Sequence, residues 1–202
     1  MSEDPRRARS RARVVEAAVA VLREHGAQGL TIEAVAARSG VAKTTIYRQF
    51  TGREELHAAA LASAAWPIEM AATADLLADV TEFLQALDGG LRSEELAAVL
   101  ATAIDGAERS PSLAAILAGE ATGRRAALVG RLQAAQRTGQ LAADADLDLL
   151  HAQLVGPVFF RRFMSRQPTG PEWVAALVAA VLRPWLLPAA GGACLPGGAP
   201  PR

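Results

Sequence analysis

Between Leu30 and Phe50 the chain reads LTIEAVAARSGVAKTTIYRQF, a stretch that accommodates little besides two short helices joined by a glycine turn. Thr31 is placed to cap the first helix, and Leu30 and Val35 flank it at the two positions where apolar side chains staple a helix start. Ile32, Val35 and Ala36 give that helix one buried side. Gly40 follows where a chain leaving a helix needs a positive φ, which glycine adopts without a Cβ clash. The second helix then starts near Ala42. Val41, Ile46 and Phe50 fall four to five residues apart along one of its faces, and Lys43, Thr44, Thr45, Tyr47 and Arg48 occupy the remainder.

That polar remainder offers donors, acceptors and positive charge but no carboxylate; Glu16, Glu24 and Glu33 all lie on earlier helices. A surface that meets phosphates excludes carboxylates, because each would repel the backbone that supplies most of the binding energy. Two short helices with this turn make a helix-turn-helix that reads double-stranded DNA, the alternative being a solvated amphipathic helix that happens to be basic. With these residues in view, Thr31 to Phe50 followed by Arg53, Glu54 and Leu56 resembles the signature of the TetR family of bacterial transcriptional regulators. The resemblance is specific over roughly Val14 to Leu61 and architectural over the rest. It implies that the run Thr44, Tyr47, Phe50 lies on the recognition helix, with Thr45 and Tyr47 in the major groove or on phosphates beside it. It also implies that Arg53, opening a fourth helix, grips a phosphate. Thr51 and Glu54 are spaced as a capping box at that helix start. Ala42 departs from the family pattern, which favours a serine or another good cap there. The loss amounts to about 1 kcal/mol of local stability, so the recognition helix is expected to fray until DNA orders it.

Charge is unevenly spread. The chain holds 21 basic and 21 acidic residues, but through Arg53 there are ten Arg and Lys against five Asp and Glu, a net of +5 that leaves −5 for the rest. A basic head on an acidic body suits a DNA reader whose other part has a different partner. Residues 1–13 carry five arginines and read as a mobile basic arm. Either Arg9 and Arg11 lie along phosphates or enter the minor groove, or the segment is a disordered, solubilising terminus. No apolar secretory region follows it; an amphipathic helix does, with Val15, Ala18, Val19 and Leu22 on one stripe. No run of about eighteen apolar residues offers a membrane span. The single cysteine, Cys194, sits in a Pro-, Gly- and Ala-rich tail over 189–202 that is expected to be disordered, and a soluble protein of the reducing cytoplasm is the expectation.

Beyond Leu56 the pattern is helix after helix. Leu76, Leu77, Val80, Phe83, Leu84 and Leu87 hold helical spacing after a Trp66-Pro67 break, and Asp88, Gly89 and Gly90 are expected to stop that helix. Ser93 caps the next, and Pro111 opens a long helix ending at Gly139. Two more follow, over about Asp146–Arg166, where Pro157 is expected to introduce a kink, and about Pro171–Leu187. The fold is therefore all-α with about nine helices: a DNA-binding domain over 14–55 and a ligand-binding and dimerisation domain over 56–188.

In the last two helices Leu150, Leu154 and Val158, and Trp173, Leu177 and Val181, form stripes that either build a two-fold four-helix bundle, as the resemblance implies, or pack within one chain. Trp66, Phe83, Leu87, Ile104, Leu117, Phe159 and Phe160 either line a cavity for a small apolar effector or are plain core. Arg161 and Arg162 read as surface charge rather than partners of an acidic ligand. Asp144, Asp146 and Asp148 imitate a calcium loop but lack its glycine and its closing glutamate. His25, His57 and His151 have no metal-ligand spacing, and there is no nucleophile elbow or phosphate loop, so neither enzyme nor cofactor is expected. The whole reads as a homodimeric repressor released from a palindromic operator by a small apolar molecule. The alternatives are an activator or a partner-controlled regulator of the same fold, a non-specific chromosome-organising protein, and, from another class, an enzyme with a helix-turn-helix head.

Overall fold

The computed structural model describes residues 5–64 and 70–188. The described residues form nine α-helices and no strand: α1 (Pro5–Gly29), α2 (Ile32–Ser39), α3 (Lys43–Tyr47), α4 (Arg53–Ala64), α5 (Leu76–Leu91), α6 (Glu94–Ala107), α7 (Pro111–Arg137), α8 (Leu147–Phe159) and α9 (Pro171–Leu182). A π-helical turn, Phe160–Ser165, extends α8 beyond Pro157, and a 3-10 turn, Arg183–Trp185, extends α9. Trp66 and Cys194 lie outside the described residues.

Local chemistry sets most of the helix starts. Side chains of Asp75, Ser93, Ser110 and Asp146 accept hydrogen bonds from the first-turn amides of α5, α6, α7 and α8, and Pro111 begins α7 where its missing N–H is no loss. Asp146 holds the amides of Asp148 and Leu149, so the acidic cluster there is a helix start and not an ion loop. Three expectations about helix ends need correction. Of the segment 1–13 read as a mobile arm, the described residues 5–13 form the opening turns of α1, because Ala and Arg favour helix and three of the arginines are tied down: Arg9 to the Pro5 carbonyl, Arg11 to that of Gln49, Arg13 to that of Ser39. Gly89 and Gly90 do not stop α5, which runs on to bury Leu87 and Leu91; tertiary packing overrides their poor propensity. At the start of α4 it is Glu55, not Glu54, whose carboxylate accepts from the Thr51 amide at 2.6 Å and hydroxyl at 2.9 Å.

One apolar core runs the length of the chain. α1 packs on α2, α4 and α6, while α4 also meets α6 and α7, so the linking helix belongs to head and body alike. Buried within the body, Arg131 of α7 donates to Asp79 of α5 at 2.7 Å and to the Thr73 carbonyl at 2.9 Å, while Thr73 donates its amide and hydroxyl to Asp79. Leu150, Leu154 and Val158 of α8 are buried in this same core, which leaves them unavailable to the dimer interface expected of them; Trp173, Leu177 and Val181 are half-buried against it. Arg161 and Arg162 are not surface charge. The first lies 4.2 Å over the Trp173 ring and donates to the Pro168 carbonyl, and the second donates to the Leu91 carbonyl at 2.7 Å. No helix among the described residues is long and apolar enough to cross a membrane.

Candidate nucleic-acid interface and cavity

The turn between α2 and α3 is built from its own residues. Thr31 caps α2 by accepting from the Ala34 amide at 3.1 Å, and Gly40 ends it at φ 65°, its N–H donating to the Ala36 carbonyl. Ser39 is buried and its hydroxyl takes the Val41 amide at 3.2 Å, which sets the direction in which α3 departs. Val41, Ile46 and Phe50 are all buried, so the opposite side of α3 must face outward. There Lys43, Thr44, Tyr47 and Arg48 are exposed, Tyr47 with 57% of its surface free, and Thr45 is half-buried. Ala42 supplies no side-chain cap; its carbonyl alone takes the amides of Thr45 and Ile46. Thr31 and Arg53 are exposed at the starts of α2 and α4.

Several contacts here join residues far apart in sequence. Glu33 of α2 accepts from Lys43 Nζ at 2.8 Å, and that hydrogen bond holds the Glu33 carboxyl below its usual range. Glu24 likewise takes both guanidinium nitrogens of Arg38, at 2.6 and 2.8 Å, which lowers its carboxyl and locks α1 to α2. Arg11, grouped in the sequence with DNA contacts, is spent on the Gln49 carbonyl at 3.2 Å and on the Phe50 ring, 4.5 Å from its centroid. It splints α1 to the end of α3. Arg9 remains exposed.

Behind the head lies a cavity of about 240 Å³. Phe83, Leu87, Ile104, Leu117 and Phe159 line it as the spacing suggested, whereas Phe160, on the π-helical turn, points out with 58% of its surface exposed and is no lining residue. Sequence reasoning missed Leu61 from α4 and a polar edge of Glu120, Arg124, Arg125 and His151. Arg125 pairs with Asp148, and burial, helped by the nearby Arg125 charge, pushes His151 below its ordinary pKa and keeps it neutral. Two joints tie α4 to the body. His57 is buried, with Nε2 3.1 Å from the Thr102 hydroxyl of α6, and burial lowers its pKa. Glu54 accepts from the hydroxyls of Ser110 and Ser112 at the α6–α7 corner.

Comparison with known proteins covers both halves. The model of the bacterial regulatory proteins, tetR family, matches residues 14–60, and the model of the tetracyclin repressor-like C-terminal domain matches residues 70–181. The solved TetR family transcription regulator SCO0332 is 30% identical, with a TM-score of 0.65 over 86% of this chain and 97% of its own. Salmonella enterica GusR shares the fold at 20% identity, with a TM-score of 0.73 over 90% of this chain and 98% of that one. The multidrug binding protein EbrR, solved with imidazole, does so at 24% identity, with a TM-score of 0.66 over 93% and 99%. No curated protein matches the chain.

Proposed function

The chain belongs to the TetR family of bacterial regulators, and from that premise we propose that it is a dimeric, sequence-specific DNA-binding repressor that leaves a palindromic operator when a small apolar molecule fills its cavity. The observation that carries this reading is the outward side of α3. Lys43, Thr44, Tyr47 and Arg48 form an exposed surface without a carboxylate of its own, backed by the buried Ile46 and Phe50. Thr44 and Lys43 are the side chains for base edges, and Tyr47, Thr45, Thr31 and Arg53 those for phosphates and register. To reach a base, Lys43 must give up Glu33, an exchange that phosphate proximity favours.

A single head of this kind binds weakly, and a two-fold pair reads two half-sites. The surface available for pairing is the outer stripe of α8 with its π-helical extension. Leu149, Phe160 and Met164 are exposed there, at 51%, 58% and 72%, and the small residues Ala152 and Gly156 lie between them. Release follows from the position of α4. Leu61 near its end lines the cavity, Arg53 at its start faces the operator, and about 1.5 Å of rise per residue puts the two roughly 12 Å apart on one rigid rod. A ligand that favours a tilted α4 changes the separation of the two recognition helices and lowers operator affinity by linkage. EbrR, a multidrug binding protein, shows the same fold carrying small molecules. The test is selection from a random duplex pool at near-physiological salt, followed by competition of the selected sequence against bulk DNA. Enrichment of a palindrome bound by two protomers is expected; unenriched DNA would instead support a chromosome-organising role.

A further inference from the structure

Among the described walls of the cavity one polar atom is covered and has no partner. Arg124 of α7 borders the void, and its Nη2 is covered from solvent with no hydrogen-bond acceptor. A covered guanidinium nitrogen without an acceptor is uncommon, because its desolvation is left uncompensated. The neighbouring charges do not satisfy it. Arg125 is itself a cation and is paired with Asp148. Glu120 stands one turn earlier on the same helix, yet it makes no ion pair with Arg124, and its oxygens are not among the covered, unpartnered atoms, so they are open to solvent. His151, opposite on α8, is held neutral by burial and can accept or donate without adding charge.

We propose that the effector is an apolar molecule carrying one anionic head, a carboxylate in the simplest case, whose oxygens meet the guanidinium of Arg124 while its body lies against Phe83, Leu87, Ile104 and Phe159. This deepens, and rests on, the reading of the cavity as the effector site. Arg124 borders the void, and a carboxylate there would supply the acceptors that the protein withholds, in a bidentate geometry that arginine favours. Away from this polar edge the walls are apolar and reward a hydrocarbon body. At roughly 30 Å³ per water-sized group, the space of about 240 Å³ holds about eight such groups, a medium-length chain.

Calorimetric titration of the full-length protein with octanoate, octan-1-ol and octylammonium tests this, in the wild type and in Arg124→Met and Arg124→Lys, each checked for an unchanged thermal transition. Octanoate is expected to bind about ten- to a hundredfold tighter than octanol, the range of a charge-assisted hydrogen bond. Arg124→Met should erase that preference while octanol still binds, and Arg124→Lys should restore part of it. Equal binding of octanoate and octanol by the wild type overturns the anionic head while leaving the apolar effector site intact. A preference for octylammonium that is lost in Glu120→Gln overturns it in favour of a cationic ligand. Failure of all three to bind, in a sample that still binds DNA, removes both the head-group assignment and the reading of the cavity as the effector site.

Discussion

Tyr47 and Lys43, both proposed to contact DNA, are placed quite differently on one helix. Tyr47 stands free, whereas Lys43 is held by Glu33 at 2.8 Å. If the tyrosine hydroxyl grips a phosphate, Tyr47→Phe weakens binding to every duplex alike by about 0.5–1.5 kcal/mol per protomer, the worth of one hydrogen bond, as fluorescence anisotropy on specific and bulk DNA would show. Which side chains of α3 face outward was legible from spacing alone, because a helical period is local. The Glu33 pairing and the engagement of Arg11 with Gln49 and Phe50 were not, since they depend on how separate helices pack. Gly40, at φ 65°, is a position where sequence and structure agree for a stated reason, and Gly40→Ala should destabilise the head by about 1–2 kcal/mol. Chemical denaturation measures it. Part of that penalty is steric, for a Cβ there would sit 3.1 Å from the Arg13 guanidinium.

At the scale of the element, α3 is short and uncapped, only Lys43–Tyr47. Ala42→Ser should add about 1 kcal/mol by giving its first turn a side-chain acceptor, and tighter DNA binding with a higher melting temperature is the expected result. α5 and α7 are joined by the buried pair of Asp79 and Arg131. Burial raises the Asp79 carboxyl, but hydrogen bonds from Thr73 and Arg131 outweigh it and leave its pKa below the usual value. An aspartate depressed in the folded state contributes stability that is present above its unfolded pKa of about 3.9 and is lost as pH falls through the folded value. Arg131→Met should therefore cost about 3–5 kcal/mol near neutrality by stranding that carboxylate, and the difference from wild type should shrink in acid titrations monitored by circular dichroism. Nothing in the sequence advertised this pair, 52 residues apart. The starts of α6 and α7, by contrast, were readable in Ser93 and Pro111, because a cap acts within one turn. The end of α5 was misread at Gly89 and Gly90 because burial of Leu91 decides it from a distance.

For the whole molecule, the proposed function rests on the head-to-body connection through α4 and on the pairing surface proposed for α8. Leu150, Leu154 and Val158 follow an apolar stripe that sequence alone cannot assign to the inside or to a partner; the fold turns them inward and leaves Leu149, Phe160 and Met164 outside. Phe160→Glu should then yield a monomer in sedimentation velocity, with an intact fold and lost binding to a palindrome. The central claim is that α3 reads the operator, and the most direct measurement is to select bound duplexes from one random pool with the wild type and with Thr44→Ala in parallel. The account expects the wild type to recover a palindrome and the variant to relax or change its preference at a symmetric pair of positions within it. Recovery of the same palindrome with the same stringency by both proteins would contradict the assignment of α3 as the reading helix.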